Sequence, residues 1–194
     1  MRDIAKNEML FILGIFKNPA TEYNASSIAR AIGISPMGAL KIARRLEKEG
    51  VIVSRQLGRA RFYQLAPEND YVREYIKFLL KREAEQASSY AKIWLREINK
   101  IKNADFALLF GSVLNKQKEA KDIDVLLAAE QKRFQKLKEE VEKINFVNIK
   151  KLHPVYQSKG DIKNNIKKQD KIILNALKGI VAFGEDAFID VMER

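Results

Sequence analysis

The chain has no cysteine, a single histidine, four prolines and nine glycines in 194 residues. Without cysteine, disulfide frameworks and Cys-based zinc sites are excluded, and the composition fits a reducing cytoplasm. No run approaches the roughly 18 apolar residues of a membrane-spanning helix. The opening "MRDIAKNEMLFILGIF" has a short apolar core with no small-residue cleavage site behind it, so it lacks the layout of a signal peptide. Neither end carries a basic amphipathic helix with a broad apolar face, which argues against a membrane surface as partner. Internal repeats and low-complexity tracts are also absent. Acid is in short supply: 25 Asp and Glu face 36 Lys and Arg, leaving a net charge of +11. No fold requires that excess. It favours a polyanionic partner, most simply nucleic acid.

Apolar residues make up 46% of the chain, enough to bury a core, and the length suits one ordinary domain or two small ones. Residues 6 to 17 are apolar nearly all round, which predicts a buried helix. In "YNASSIARAIGIS", Asn24 or Ser26 caps a second helix with Ile28, Ala29 and Ile32 on one stripe, and Gly33 stops it. Ser35-Pro36 opens a third, with serine at the cap and proline at the first helical position. Ala39, Ile42, Ala43 and Leu46 share its apolar face. Gly50 ends it. The period then changes, and "VIVSRQ", "LGR" and "ARFYQL" read as strand, tight turn, strand.

Three helices followed by a basic hairpin resemble the winged helix-turn-helix of many bacterial and archaeal transcription regulators, over residues 1 to 66. In that family the third helix enters the major groove of double-stranded DNA and the hairpin touches the flanking backbone or minor groove. The charge agrees: residues 1 to 66 hold eleven Lys and Arg against five Asp and Glu. Ser35, Met37, Gly38 and Lys41, at the start of the recognition helix, are expected to reach base edges. Arg44, Arg45, Arg55, Arg59 and Arg61 are expected to meet phosphates. A winged helix used only for protein contacts is the alternative.

Residues 69 to 100 contain neither proline nor glycine. Val72, Ile76, Leu79, Leu80, Ala87, Tyr90, Ala91, Trp94 and Ile98 recur at helical spacing, so residues 67 to 103 read as one long connecting helix. Its stripe serves either as the seam of a homodimer, which a palindromic site would call for, or as packing within the chain. Tyr90 and Trp94 read as packing.

The last half begins with "ADFALLF", a strand-length run stopped by Gly111-Ser112. "DIDVLLA" is a second strand, and alternation puts Asp122 and Asp124 on one face about 7 Å apart. Two carboxylates so placed repel unless a divalent cation neutralises them. Gly111 lets backbone approach a phosphate, and Ser112 with the amides of a helix start can hold it.

Gly-Ser, nine residues, then Asp-Ile-Asp leading into an apolar strand resembles the minimal nucleotidyltransferases of the DNA polymerase beta superfamily, over residues 104 to 190. The resemblance implies that Gly111 and Ser112 hold the phosphates of an NTP. It also implies that Asp122 and Asp124 bind Mg²⁺ and carry the transfer of a nucleotidyl group. The tail "HPVYQ…DKIILNALKGIVAFGEDAF" is similar to the helical end of these domains. Ile162, Ile166, Ile172, Ile173, Leu174 and Leu177 suggest a core-facing stripe there.

The family adds a third carboxylate on a later strand. "NFVNIKKL" is the candidate strand, and it offers Asn148, which has no charge and cannot act as a base. Lys150 and Lys151 follow, where they favour phosphate. Glu142 or Asp161 are the other candidates, and His153 reads as a loop histidine with a structural hydrogen bond.

The expected architecture is therefore α+β in two domains: a winged helix (1–66), the connecting helix (67–103), and a nucleotidyltransferase-like mixed sheet with flanking helices (104–194). Two functions are open. One is a dimeric DNA-binding regulator whose second domain binds nucleotide and Mg²⁺ with weakened catalysis. The other is an active Mg²⁺-dependent transferase acting from an NTP on a hydroxyl of protein, RNA or a small molecule.

Overall fold

A computed structural model of the chain describes residues 5–66 and 69–193, the side chain of Asp70 excepted. Pro67, expected to close the wing, lies outside the described residues. The fold is mixed α+β with two sheets. It divides into two compact units, Met1–Leu79 and Leu80–Arg194.

In the first unit the order is α1 (Lys6–Phe16), β1 (Tyr23–Asn24), α2 (Ala25–Ile32), α3 (Pro36–Lys48), β2 (Ile52–Leu57) and β3 (Ala60–Leu65). The sheet order is β1-β3-β2, antiparallel throughout. This is the element order of a winged helix-turn-helix. Local chemistry sets each boundary. Asn24 accepts from the Ser27 amide while Ser27 answers the Asn24 amide, a reciprocal cap on α2. Gly33 ends α2 at φ +73°, where glycine has no steric cost. Ser35 Oγ accepts from the Gly38 amide at 3.0 Å, and Pro36 occupies the first turn. Phe11, Ile12, Ile28 and Leu46 are fully buried between the helices, and the Phe11 ring lies 6.0 Å from that of Tyr63 on β3.

One buried polar network ties three helices of this unit. Glu8 on α1, only 7% exposed, pairs with the Arg45 guanidinium of α3. It also accepts from the Tyr75 hydroxyl of α4 (Asp70–Glu85) at 3.2 Å. Burial, then the Glu8 charge, pushes the Tyr75 phenol up, so it stays a donor.

The expected continuous helix over 67 to 103 is two helices. α4 ends at Glu85, and α5 (Ser89–Ile98) starts after a three-residue break. Ser88 causes the restart: its hydroxyl accepts from the Ala91 amide at 3.2 Å, offering the backbone an alternative to continued helix. The boundary between units falls inside α4 rather than at a separate connector. Val72, Ile76, Ala91, Trp94 and Ile98, open between a homodimer seam and packing within the chain, are buried within the chain itself.

The second unit is a four-stranded mixed sheet between two helical layers, in the order β6-β5-β4-β7. Its strands are β4 (Phe106–Phe110), β5 (Ile123–Ala128), β6 (Leu152–Gln157) and β7 (Ile180–Phe183). β5 is antiparallel to β4 and parallel to β6, which it reaches through α7 (Phe134–Val147); β7 is antiparallel to β4. Ala107, Leu109, Val125 and Leu127 form one sheet face, in a single cluster with Trp94, Leu95 and Ile98 of α5 and Leu137 and Val141 of α7. α8 (Lys159–Lys167), α9 (Lys171–Ala176) and α10 (Glu185–Met192) also pack on the strands, with the Phe188 ring 5.4 Å from that of Phe106. The tail expected to be helical thus contains two strands. Ile162, Ile173 and Leu177 of its stripe are buried, but Ile172 is 60% exposed. No helix among the described residues is long and apolar enough to cross a membrane.

Phe188→Ala, at a fully buried site, is expected to cost about 3–5 kcal/mol. Ile172→Ala, at an exposed one, should stay within about 0.5 kcal/mol. Urea unfolding of the full chain measures both, and equal costs would contradict the packing described.

Candidate functional site

The cations of the first unit expected to meet DNA fall into two groups. On α3, Met37, Lys41 and Arg44 are exposed, and at the β2–β3 turn Arg59 follows Gly58, itself at φ +60°. Lys41, Arg44 and Arg59 have no acid beside them among the described residues. The other three arginines expected to meet phosphates do have acids. Arg45 is drawn inward to Glu8, with Glu49 a further 3.9 Å contact, so its guanidinium is not presented to a ligand. Arg55 pairs with Glu22 at 2.9 Å and Arg61 with Glu47 at 3.7 Å. Both remain more than half exposed, and pairs of that kind are worth at most about 1 kcal/mol and exchange readily. Ser35 and Gly38, expected at base edges, are joined to each other by the helix cap.

In the second unit β4 ends at Phe110, directly opposite Asp124 on β5. Gly111 then turns the chain at φ +79°, and a Cβ there would lie 2.1 Å from Asp124 Oδ2. Glycine is therefore required twice: for the left-handed turn and to seat the carboxylate. Ser112 leads into α6 (Val113–Lys116), a single turn too short to gather the amides and dipole of a phosphate-binding helix start. Asp122 precedes β5, exposed and without a partner among the described residues.

Asn148 does not join these acids. Residues 145–147 are the last turn of α7, and the later strand is β6. The Asn148 amide donates to the Ile144 carbonyl at 2.9 Å and to Glu97 on α5 at 3.1 Å. Lys100 first, then Asn148, hold the Glu97 carboxyl below its ordinary range. Lys150 donates to the carbonyls of Lys118 and Ala120 and lies 5.8 Å over the Tyr90 ring. Lys151 donates to the carbonyls of Asn145 and, at 2.7 Å, Asn148. Both lysines are spent on backbone rather than offered to phosphate. Ser158 caps α8, and the Asp161 carboxylate accepts back from its amide and hydroxyl; Glu142 lies exposed on α7.

The residue beside Asp124 is His153. Parallel pairing of β5 and β6 puts the two in register, and His153 Nδ1 lies 3.3 Å from Asp124 Oδ1. It is a strand residue, not a loop one. No group of three or more His, Cys, Asp or Glu side chains among the described residues is arranged to hold a metal ion.

Next to the glycine bend is a cleft of about 430 Å³. Ser112, Asn115, Asn175 and Lys178 supply its polar lining, with Phe110 and Gly179 among the rest, and no carboxylate lines it. Those four side chains have no hydrogen-bond or ion-pair partner among the described residues. Gly179 is forced by proximity, since a Cβ would sit 2.4 Å from the Leu109 carbonyl. Sequence reasoning missed Asn175 and Lys178. The available signal was a Lys-Gly step between a short helix and a strand, which brings the lysine to the end of β4.

No family model matches the chain, and no curated protein matches it. Several solved structures are similar over about half of it. A variant of ZitR from Lactococcus lactis shares 14% identity, over 52% of this chain and 64% of that one, with a TM-score of 0.35. The adhesin competence repressor AdcR of Streptococcus pyogenes shares 13%, over 52% and 69%, with a TM-score of 0.36. Sso10a-2, a DNA-binding protein from Sulfolobus solfataricus, shares 19%, over 49% and 96%, with a TM-score of 0.33. Likeness this slight assigns the chain to none of them.

Two substitutions check the geometry of the second unit. Asn148→Asp is expected to destabilise the chain by about 1 kcal/mol or more, because it removes an amide donor and sets like charge beside Glu97. Gain of Mg²⁺ affinity in that variant would show the register to be wrong. Gly111→Ala should cost well above the roughly 1 kcal/mol of backbone strain expected for Gly58→Ala, whose Cβ would meet open space. Chemical denaturation compares the two.

Proposed function

We propose that the chain is a DNA-binding regulator whose second unit holds a phosphate-bearing ligand, an NTP being the reading the nucleotidyltransferase resemblance supplies. The observation that carries the first part is the sorting of cations. α3 and the turn of the wing belong to one small unit, and each presents cations with no acid beside them. A duplex backbone is the polyanion such a unit grips, with α3 in the major groove and the wing at the flanking phosphates. Met37 and Lys41 then face base edges, and Arg44 and Arg59 meet phosphates. Arg55 and Arg61 join by exchanging their surface acids for DNA. Homodimerisation on a palindromic site would use surfaces other than the buried stripe, such as exposed Tyr71 and Phe78 on α4.

Support for the second part is the glycine bend seating Asp124, with Ser112 and the polar cleft beside it. The residues present do not fit the Mg²⁺ that the resemblance implies. Mg²⁺ needs a near-octahedral oxygen shell, whereas here one carboxylate is paired with an imidazole and the other stands without a partner. His153, on the strand beside Asp124, brings no third negative charge. Binding with weakened transfer is therefore favoured over an active transferase.

Duplex DNA binding measured by fluorescence anisotropy across a salt series tests the regulator. The pair Lys41→Glu and Arg44→Glu is expected to weaken binding strongly and to lower the salt slope by about 2. Arg45→Ala should instead lower stability, through the loss of the Glu8 partner. Equal binding of the wild type to duplex and to heparin, or no effect of the double change, would sink the proposal.

A further inference from the structure

The misfit at the acids has a counterpart a few residues away. Ser112, Asn115, Asn175 and Lys178, the last three exposed, bring one hydroxyl, two amides and one ammonium group to the lining of the cleft beside Gly111, none with a side-chain partner among the described residues. Each of those groups donates hydrogen bonds, and Lys178 brings a full positive charge. Donors in excess, one cation and no carboxylate in the lining describe a receptor for an anion with many acceptor oxygens, and phosphate is that anion. A lysine binds phosphate as a point charge and needs no fixed fork of donors. The volume of about 430 Å³ lies within the range of small-molecule sites, roughly 300–1,000 Å³.

The two ends of the bend thus carry opposite chemistry. On the Asp124 side the carboxylate already has an imidazole nitrogen 3.3 Å away. On the Ser112 side the cleft has its own cation. A polyphosphate in that cleft meets Lys178 directly, and no divalent ion is needed to bridge it to the acids.

The geometry points to a metal-independent polyphosphate site: Lys178 neutralises the phosphates, and Ser112, Asn115 and Asn175 hydrogen-bond their oxygens. This rests on the reading that the second unit binds phosphate and departs from it in dispensing with Mg²⁺. The shared ligand chemistry is a chain of phosphates, from a nucleotide or from inorganic pyrophosphate. Gly179 is the structural condition, because only a residue without Cβ lets the segment after Lys178 pass this close to β4.

The test is calorimetric titration of the full chain with ATP and with pyrophosphate, each in EDTA and in Mg²⁺. Both probes, or ATP alone if the base contributes, should bind in EDTA. Lys178→Ala should weaken that binding by about tenfold or more, while Lys163→Ala, a control on an exposed face of α8, leaves it unchanged. Ser112→Ala is a second variant, expected to weaken binding less and to leave the melting temperature as it is. Binding that needs Mg²⁺, is lost in Asp124→Asn and survives Lys178→Ala would overturn the inference yet keep a phosphate site in this unit. Binding in EDTA that ignores Lys178→Ala would place the anion elsewhere and overturn it as well. No binding of either probe under either condition would overturn both the inference and the reading beneath it.

Discussion

The pairing of β4 with β5 is the constraint on which the second unit depends. Phe110 opposite Asp124 means that the next residue must pass beneath a carboxylate, and only glycine can do so. The turn at Gly111 then carries the chain out of the sheet, so that Ser112 faces a cleft. On the far side of the same contact, parallel pairing with β6 delivers His153 to Asp124. One register therefore sets both faces of the bend: an acid–imidazole pair on one, a cationic polar cleft on the other.

The first unit depends on a different economy of charge. Its basic excess is not a uniform coat. Glu8 takes Arg45 out of play and links α1, α3 and α4, while Glu22 and Glu47 loosely hold Arg55 and Arg61. Of the cations expected to meet DNA, Lys41 and Arg44 on α3 and Arg59 at the wing are left without an acid among the described residues. A buried pair of the Glu8–Arg45 kind adds specificity to the packing more than net stability, since both groups lose hydration. It also fixes the helix whose outer face carries the free cations.

Much of the fold was legible because its signals are local. Caps at Asn24 and Ser35, the stops at Gly33 and Gly50, and the switch of period before the wing each depend on a few neighbouring residues. The bend at Gly111 and the strand after it were legible for the same reason. Errors arose where a short segment had two readings. "NFVN" is apolar enough for a strand, yet it completes α7 because the preceding residues already form a helix whose Leu137, Val141 and Ile144 are buried. The serine pair at 88–89 was overlooked in an otherwise helical stripe, and the stripe itself hid a break.

The sequence by itself determined the winged-helix element order, the cationic excess and the glycine that must precede α6, since propensity, capping and charge are properties of residues and near neighbours. Tertiary structure alone decided which arginines stay free, which residue stands beside Asp124, and that Lys178 and Ser112 line one cleft. Those outcomes join residues 14 to 66 positions apart, as with Arg61–Glu47, Asp124–His153 and Glu8–Arg45. Strand register and helix packing set such pairings, and neither leaves a mark in a local window of the chain.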